Sequence, residues 1–329
     1  TLNLIPASPA PEFIDIHSWV NSEPLAIKKL KGKVILVDCF TYSCIFCLRS
    51  LPVMVELKEK YSAYGLEVIA AHSSEYEFAK DPKNIKRALE RYDVKIPVAL
   101  DINNKTWEAY GNMYWPKHIL IDANGFIRYE HAGFGMVEDF DEYILELLQE
   151  SGVKIPPIKQ QKKLASEIYD TYGMHFAGIS PEICVGYTRL RRFGNNQTPK
   201  PDEVNHFTDS GKHIENMVYL RGKWIWKSEG VQYPGESDSA IMMKYTATRA
   251  HGIVGASDGK PALAEIKLDG NYLTKENAGK DITLRGGKSI LDIKWPFMHN
   301  LAATKNIEQH EIEIIPKTDN FVFYTFVFG

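Results

Sequence analysis

Two cysteines carry the clearest chemical signal in this chain. Cys44-Ile45-Phe46-Cys47 is a C-x-x-C pair that follows an apolar run at 34–40 and opens a stretch of helical spacing at 45–64. A strand ending at such a dithiol, with a helix starting on it, puts Cys44 at a helix N-terminus. There the helix dipole and unpaired N–H groups favour negative charge. The thiolate is the species that attacks a disulfide, so Cys44 is the candidate nucleophile. Cys47, one turn further in, is suited to resolve a mixed disulfide. Half of a zinc site would use the same spacing, but no second C-x-x-C or H-x-x-H follows. A thiophilic metal such as copper, held by the two cysteines with His72 as third ligand, is the alternative from another functional class.

The residues around the dithiol sharpen these expectations. Asp38 is a carboxylate inside an otherwise apolar run, and burial raises the pKa of such a group. A proton acceptor beneath the dithiol would serve exchange, because Cys47 must lose its proton. A capped Asp at a strand end is the plainer reading. His72 ends a second apolar strand at 66–71 and could flank the dithiol, or be an ordinary loop histidine. His118 reads as structural. Tyr42, Ile45, Phe46 and Trp115 are candidate neighbours of the cysteines. Trp115-Pro116 stands at a strand entrance, where a cis bond has a use, although only about 5–6% of X-Pro bonds are cis and frequency alone favours trans. Cys39 alternates with Asp38 and so points to the opposite sheet face, as a buried, inert thiol. Cys184 lies far along the chain.

The elements needed to hold this arrangement are legible in the first half. Runs at 34–40, 66–71 and 97–100 read as buried strands, and 45–64 and 82–93 as helices, with Pro82 suited to a first turn. Leu48, Leu51, Val55 and Leu57 supply the apolar stripe of the first helix, and Pro52 inside it predicts a kink. Segments 118–122 and 126–131 flank Ala123-Asn124-Gly125 as a hairpin, and 138–150 closes the half as an amphipathic helix. Alternating strands and helices predict an α/β layer fold over 1–150. Residues 151–180, with Pro156-Pro157 and several lysines, read as a linker with a short helix near 161–171. From 181 to 329 the pattern is of short strands at 217–226, 240–248, 252–256, 262–268, 289–295, 312–315 and 321–328, separated by Asp-Gly and Gly-Gly turns. That predicts an all-β antiparallel sandwich, jelly-roll-like. Trp224, Trp226, Tyr233 and Trp295 could stack on sugar rings there or simply fill the core.

Composition narrows the classes. The 329 residues are 44% hydrophobic and 25% charged, ordinary values for a folded chain, and suggest two domains. A net charge of -3 gives no support to nucleic-acid binding. Four cysteines are too few for a disulfide scaffold of this size. No apolar run approaches the roughly 20 residues of a spanning helix. After 181 there is no G-x-S-x-G elbow, H-E-x-x-H or phosphate-binding Gly-rich loop, so no chemistry is expected there.

The segment Val37-Asp38-Cys39-Phe40-Thr41-Tyr42-Ser43-Cys44-Ile45-Phe46-Cys47 resembles a thioredoxin-like active site. With Arg49, Leu51 and Pro52 it is similar, more narrowly, to the soluble C-terminal region of DipZ-type proteins, relatives of the TlpA-like thiol oxidoreductases. His72-Ser-Ser-Glu75, Pro97-Val-Ala-Leu-Asp101, Trp107-Glu-Ala-Tyr110 and Tyr114-Trp115-Pro116 match the same family, as do Ser180-Pro181-Glu182 and the closing Tyr324-Thr-Phe-Val-Phe-Gly329. The resemblance implies a thioredoxin-like domain followed by a carbohydrate-binding-module-like β-sandwich. It implies Cys44 as nucleophile, Cys47 as resolving thiol, Pro116 as a cis-proline facing them and Asp38 as the buried carboxylate. It further implies thiol–disulfide exchange with protein partners without a cofactor, an extracytoplasmic site on a membrane-tethered protein, a CcdA-type membrane conduit as thiol electron source, and a glycan as candidate ligand of the second domain. The chain departs from the family pattern at Phe40, Phe46 and Ser50, where Trp, Asn and Glu are usual.

Overall fold

A computed structural model describes residues 7–133, 140–156, 167–173, 177–235 and 238–329. The chain divides into two units, Thr1–Ile168 and Tyr169–Gly329.

The first unit is built on strands β1 (Ser8–Pro9), β2 (Trp19–Val20), β3 (Val34–Phe40), β4 (Leu66–Ser73), β5 (Val98–Asp101), β6 (Lys117–Ile121) and β7 (Phe126–Ala132). They form one sheet in the order β1-β7-β6-β3-β4-β5-β2. β3 is central, parallel to β4 and antiparallel to β6. All seven of its residues are buried, as a strand covered on both faces requires. Helices α1 (Ile45–Tyr61), α2 (Pro82–Arg91), α3 (Lys105–Ala109) and α4 (Phe140–Glu150) complete the unit. α1 runs through Pro52 and buries Leu48, Leu51, Met54, Leu57 and Tyr61. The stripe therefore uses Met54 where the sequence suggests Val55. At 100° per residue, Met54 lies closer than Val55 to the line from Leu51 to Leu57. Asp81 caps α2 by accepting the Lys83 N–H, with Pro82 in the first turn. α3 and the edge strands β1 and β2 show no apolar period, so the sequence pattern misses them; the helix expected over 45–64 is α-helical to Tyr61 and ends in a 3₁₀ turn over Ser62–Tyr64.

Alternation along β3 divides its side chains between two layers. Ile35, Val37 and Cys39 join Ile69, Ala71, Ile119 and Ile121 in one apolar cluster. Leu36 and Asp38 therefore face the other layer.

The second unit is antiparallel throughout its named strands and encloses a core containing Trp224, Tyr245, Phe321, Phe323 and Phe326. Two of the expected strands, 240–248 and 252–256, are one strand, Ala240–Ala256. Likewise 312–315 is the tail of the 20-residue strand Phe297–Pro316. The polar, exposed middle of the latter hides its period from sequence inspection. Ala240–Ala256 pairs with Val218–Trp226 over its first residues and with Phe321–Phe328 over its last. Its pairing with Phe297–Pro316 shifts register between Ala247 and Arg249 and again between Ala250 and His251, near the change of partner. A strand that changes partners at an irregularity can serve both layers of a sandwich. The short helix expected near 161–171 lies partly outside the described residues, and its described part is helical from Glu167 to Tyr172.

Trp224 is fully buried, with its indole N–H donated to the Arg221 carbonyl at 2.9 Å. Trp226 packs against the same core. Trp224→Ala should cost about 3–5 kcal/mol, the usual range for a large aromatic removed from a core. Chemical denaturation of the intact chain, followed by far-ultraviolet circular dichroism, checks it; a loss below about 1 kcal/mol would contradict the packing described.

Candidate active site

β3 ends at Phe40, and the turn Thr41-Tyr42-Ser43 delivers Cys44 to the N-cap of α1. Cys44 Sγ accepts the backbone N–H of Cys47 at 3.4 Å, satisfying a donor that the first helical turn leaves open. Cys44 is partly exposed, whereas Cys47 is fully buried. Both are free thiols. Cys47 Sγ accepts the Thr41 N–H at 3.5 Å. Burial pushes the Cys47 thiol well above its ordinary range, and the neighbouring Cys44 and Asp38 add to that. The two sulfurs thus differ in access. One can meet a partner, and the other needs a base before it can react.

Asp38 is fully buried, and burial pushes its carboxyl up to about 7. Its cross-strand neighbour on β6 is His118, with Oδ1 3.3 Å from Nε2. Burial, aided by the charge of His131, holds His118 down to about 3, which keeps the imidazole neutral. Cys39, on the opposite face, is pushed up to about 12 by burial.

His72, near the end of β4, supports the turn before Cys44. Its ring stacks on Tyr42 at 5.4 Å, meets Phe40 edge-on at 5.3 Å, and its Nε2 accepts the Tyr42 N–H at 3.4 Å. Burial lowers its pKa to about 3. Its Nε2 is engaged by backbone, and no group of three or more His, Cys, Asp or Glu side chains that could hold a metal ion occurs among the described residues.

The Trp115–Pro116 peptide is cis, and the Trp115 carbonyl lies 3.8 Å from Cys44 Sγ. Trp115 is fixed from two sides. Its indole N–H donates to Ser73 Oγ at 2.9 Å, and its ring stacks on Trp107 at 4.3 Å. Trp107 is in turn placed by Asp101, which accepts the N–H groups of Thr106 and Trp107 at the start of α3. Ile45 is buried, and Phe46 is half-exposed, with the Arg49 guanidinium over its ring at 5.6 Å. Arg49 itself is fully buried, and burial lowers its pKa to about 10. Ser43 donates to Glu75 at 2.5 Å. Ser73, Trp107, Asp101, Glu75 and His118 were not anticipated as parts of the site. Each comes from an element distant in sequence from the dithiol; the segments holding Ser73, Glu75, Asp101 and Trp107 carried a signal only through family resemblance, and His118 read as structural.

Cys184 belongs to the second unit, on Ile183–Cys184, with Sγ directed to Glu182 at 3.4 Å.

The buried ionisable groups set a pH dependence of stability. His72 and His118 have folded pKa values near 3 against 6.5 for an ordinary histidine, so the native state binds fewer protons than the unfolded state and stability rises with pH up to about 6.5. Asp38, raised from 3.8 to about 7, acts in the opposite sense and loses stability across that window. The two histidines outweigh Asp38, so stability rises with pH between about pH 4 and 6, with Asp101, which burial also raises, opposing the lower part of the rise, and the trend reverses near neutrality. Urea unfolding at pH 4.5, 6.5 and 8 measures it. In Asp38→Asn the fall above pH 6.5 should vanish, and a fall of unchanged size would refute the assignment.

Comparison with known proteins agrees with this geometry. The Redoxin family matches residues 6–144, and the family described as thioredoxin like C-terminal domain matches 180–329. Protein DipZ of Mycobacterium bovis is 32% identical over 270 residues, covering 78% of this chain and 37% of DipZ, so the chain spans little more than a third of that relative. Thiol-disulfide oxidoreductase ResA of Bacillus thuringiensis is 30% identical over 138 residues, 42% of this chain and 76% of ResA. Thiol-disulfide oxidoreductase YkuV of Bacillus subtilis is 27% identical over 143 residues, 44% of this chain and 96% of YkuV. The chain belongs to the thioredoxin-like thiol–disulfide oxidoreductase family, and its similarity to DipZ, over 270 residues, runs beyond the first unit into the second.

Proposed function

We propose that this protein exchanges disulfides with protein partners through Cys44 and Cys47. The observation that carries the reading is the asymmetry of the pair: a partly exposed Cys44 at the start of α1, and a fully buried Cys47 that feels the charge of Asp38. Cys44 thiolate attacks a partner's disulfide, forming a mixed disulfide and releasing one partner thiolate. Asp38 accepts the Cys47 proton. The Cys47 thiolate then attacks Cys44 Sγ, the second partner sulfur leaves with its electron pair, and the site becomes a disulfide. The reverse sequence oxidises a partner dithiol. Trp115 and Pro116 line the approach to Cys44, and Tyr42, Ile45, Phe46 and His72 hold the turn and first helical residues around it. Met113 and Tyr114, 75% and 66% exposed immediately before Trp115, suit an apolar segment of a protein substrate.

The DipZ-type relationship supports an extracytoplasmic setting, a membrane tether in the full-length protein and a CcdA-type conduit as electron source. None of the described helices is long and apolar enough to cross a membrane. The second unit, which is carbohydrate-binding-module-like on this reading, serves as a non-catalytic partner or glycan surface. Full burial of Trp224 leaves sugar stacking to half-buried rings such as Trp226 and Trp295.

Cys44→Ser should abolish reduction of a protein disulfide, and Cys47→Ala should accumulate a mixed disulfide visible on non-reducing gels. Undiminished turnover in Cys44→Ser would overturn the proposal. Asp38→Asn should slow resolution about 10²-fold or more above pH 7, the range general-base catalysis commonly supplies, with little effect below pH 5. Stopped-flow Trp fluorescence across that range provides the measurement.

A further inference from the structure

The strand register brings three titratable residues into one row beneath the dithiol. Asp38 on β3 is paired with His118 on β6, and His118 with His131 on β7. Residues directly opposite in antiparallel strands share a face, so the row lies on the Asp38 side of the sheet. The His118 and His131 rings are nearly parallel, 8° apart in plane and 6.5 Å between centroids. Phe140 of α4 covers His118 edge-on at 5.4 Å. Asp38 and His118 are both fully buried. Neither oxygen of Asp38 and neither ring nitrogen of His118 has a hydrogen-bond partner among the described residues, yet Oδ1 and Nε2 are 3.3 Å apart. Buried polar atoms without partners are costly, and each of these has the other within reach.

We propose that His118 is a positioning residue for exchange: its Nε2–H donates to Asp38 Oδ1, favours the carboxylate and so keeps Asp38 able to take the Cys47 proton at neutral pH. The inference rests on the exchange reaction proposed above. The proton leaves Cys47 Sγ and arrives on the second oxygen of Asp38, while Oδ1 stays bonded to His118. The Cys47 electron pair forms the bond to Cys44 Sγ, and the partner sulfur departs as thiolate. No outside oxidant enters, because the partner's disulfide is the electron acceptor. Burial pushes Asp38 up, and a donor to the ionised form opposes that.

The groups facing the pair are few. α1 presents Cys47, whose titration is linked to Asp38. β4 presents Ala70 beside Asp38, which does not titrate. β7 presents His131, whose charge discourages a second proton on His118. α4 presents Phe140 against His118, and the next residue, Asp141, is bound to Lys60 at 2.6 Å. Among the described residues neither Asp38 oxygen has a hydrogen-bond partner, so the effect of His118 can be isolated.

The test replaces the donor while keeping a flat ring. In His118→Phe, the Asp38 midpoint, read from the side-chain carboxyl ¹³C signal of the reduced protein, should rise by about one pH unit or more. The pH midpoint of mixed-disulfide resolution should rise with it, slowing resolution about tenfold at pH 7 and sparing it at high pH. His118→Gln, which restores an N–H, should return both midpoints toward wild type. If Phe prevents folding, His118→Met is an alternative without a donor. An unmoved or lowered Asp38 midpoint overturns the proposal. So does a rate that falls equally at every pH, the mark of a merely structural residue, or an Asp38 midpoint that moves while the resolution profile does not. Cys44→Ser in the same assay separates the layers: its retained turnover would defeat the exchange reading itself, whereas the carboxyl titration reports on the Asp38–His118 bond without any turnover.

Discussion

The burial of β3 governs the first unit. All seven residues from Val34 to Phe40 lie inside the protein, flanked by β4 on one side and β6 on the other. A strand so enclosed has no freedom to shift by one residue, because a slip would exchange its two faces. Ile35, Val37 and Cys39 are committed to one apolar layer, and Asp38 must then enter the other. The strand also fixes where the chain emerges. Four residues beyond Phe40, Cys44 caps α1, and Cys47 returns to the interior one turn later.

The rest of the site is support for that exit. His72 and Tyr42 stack beneath the turn, and Trp115 is held by Ser73 and Trp107 so that its carbonyl stands over Cys44. Such scaffolding matters for exchange, because an attacking sulfur must approach a disulfide along one direction and a loose loop would lose it. Around the buried sulfur the surroundings are poor in polar groups. Desolvation therefore dominates there: it raises Cys47 and Asp38 and lowers His72 and His118. A low-dielectric pocket makes each remaining contact between titrating groups count for more than it would in water.

The second unit is organised differently. Its long strands Ala240–Ala256 and Phe297–Pro316 bind neighbours at both ends, and its aromatic residues are spent on the core. Trp224, which by type could have been a binding residue, is interior. Interior aromatic rings contribute burial rather than recognition.

The sequence alone determined the parts whose signals are local. The C-x-x-C between an apolar run and a helical period located the dithiol, the alternation of elements gave the α/β class of the first half, and the Asp-Gly and Gly-Gly turns gave the β class of the second. Those signals depend on neighbours a few residues apart, so they can be read without the fold. Family resemblance, rather than spacing, pointed to the cis bond before Pro116. Tertiary structure decided what depends on register. That His118 lies opposite Asp38, and His131 opposite His118, follows from hairpin and sheet pairing across as many as 80 positions of sequence separation (38 to 118). A one-residue slip would have sent His118 to the other face. The same cause hid Ser73, Trp107 and Asp101, which reach Trp115 from β4, α3 and β5. It also concealed the unity of the long strands: the exposed middle of Phe297–Pro316 follows its pairing partner rather than an apolar period, and Ala240–Ala256 shifts register midway.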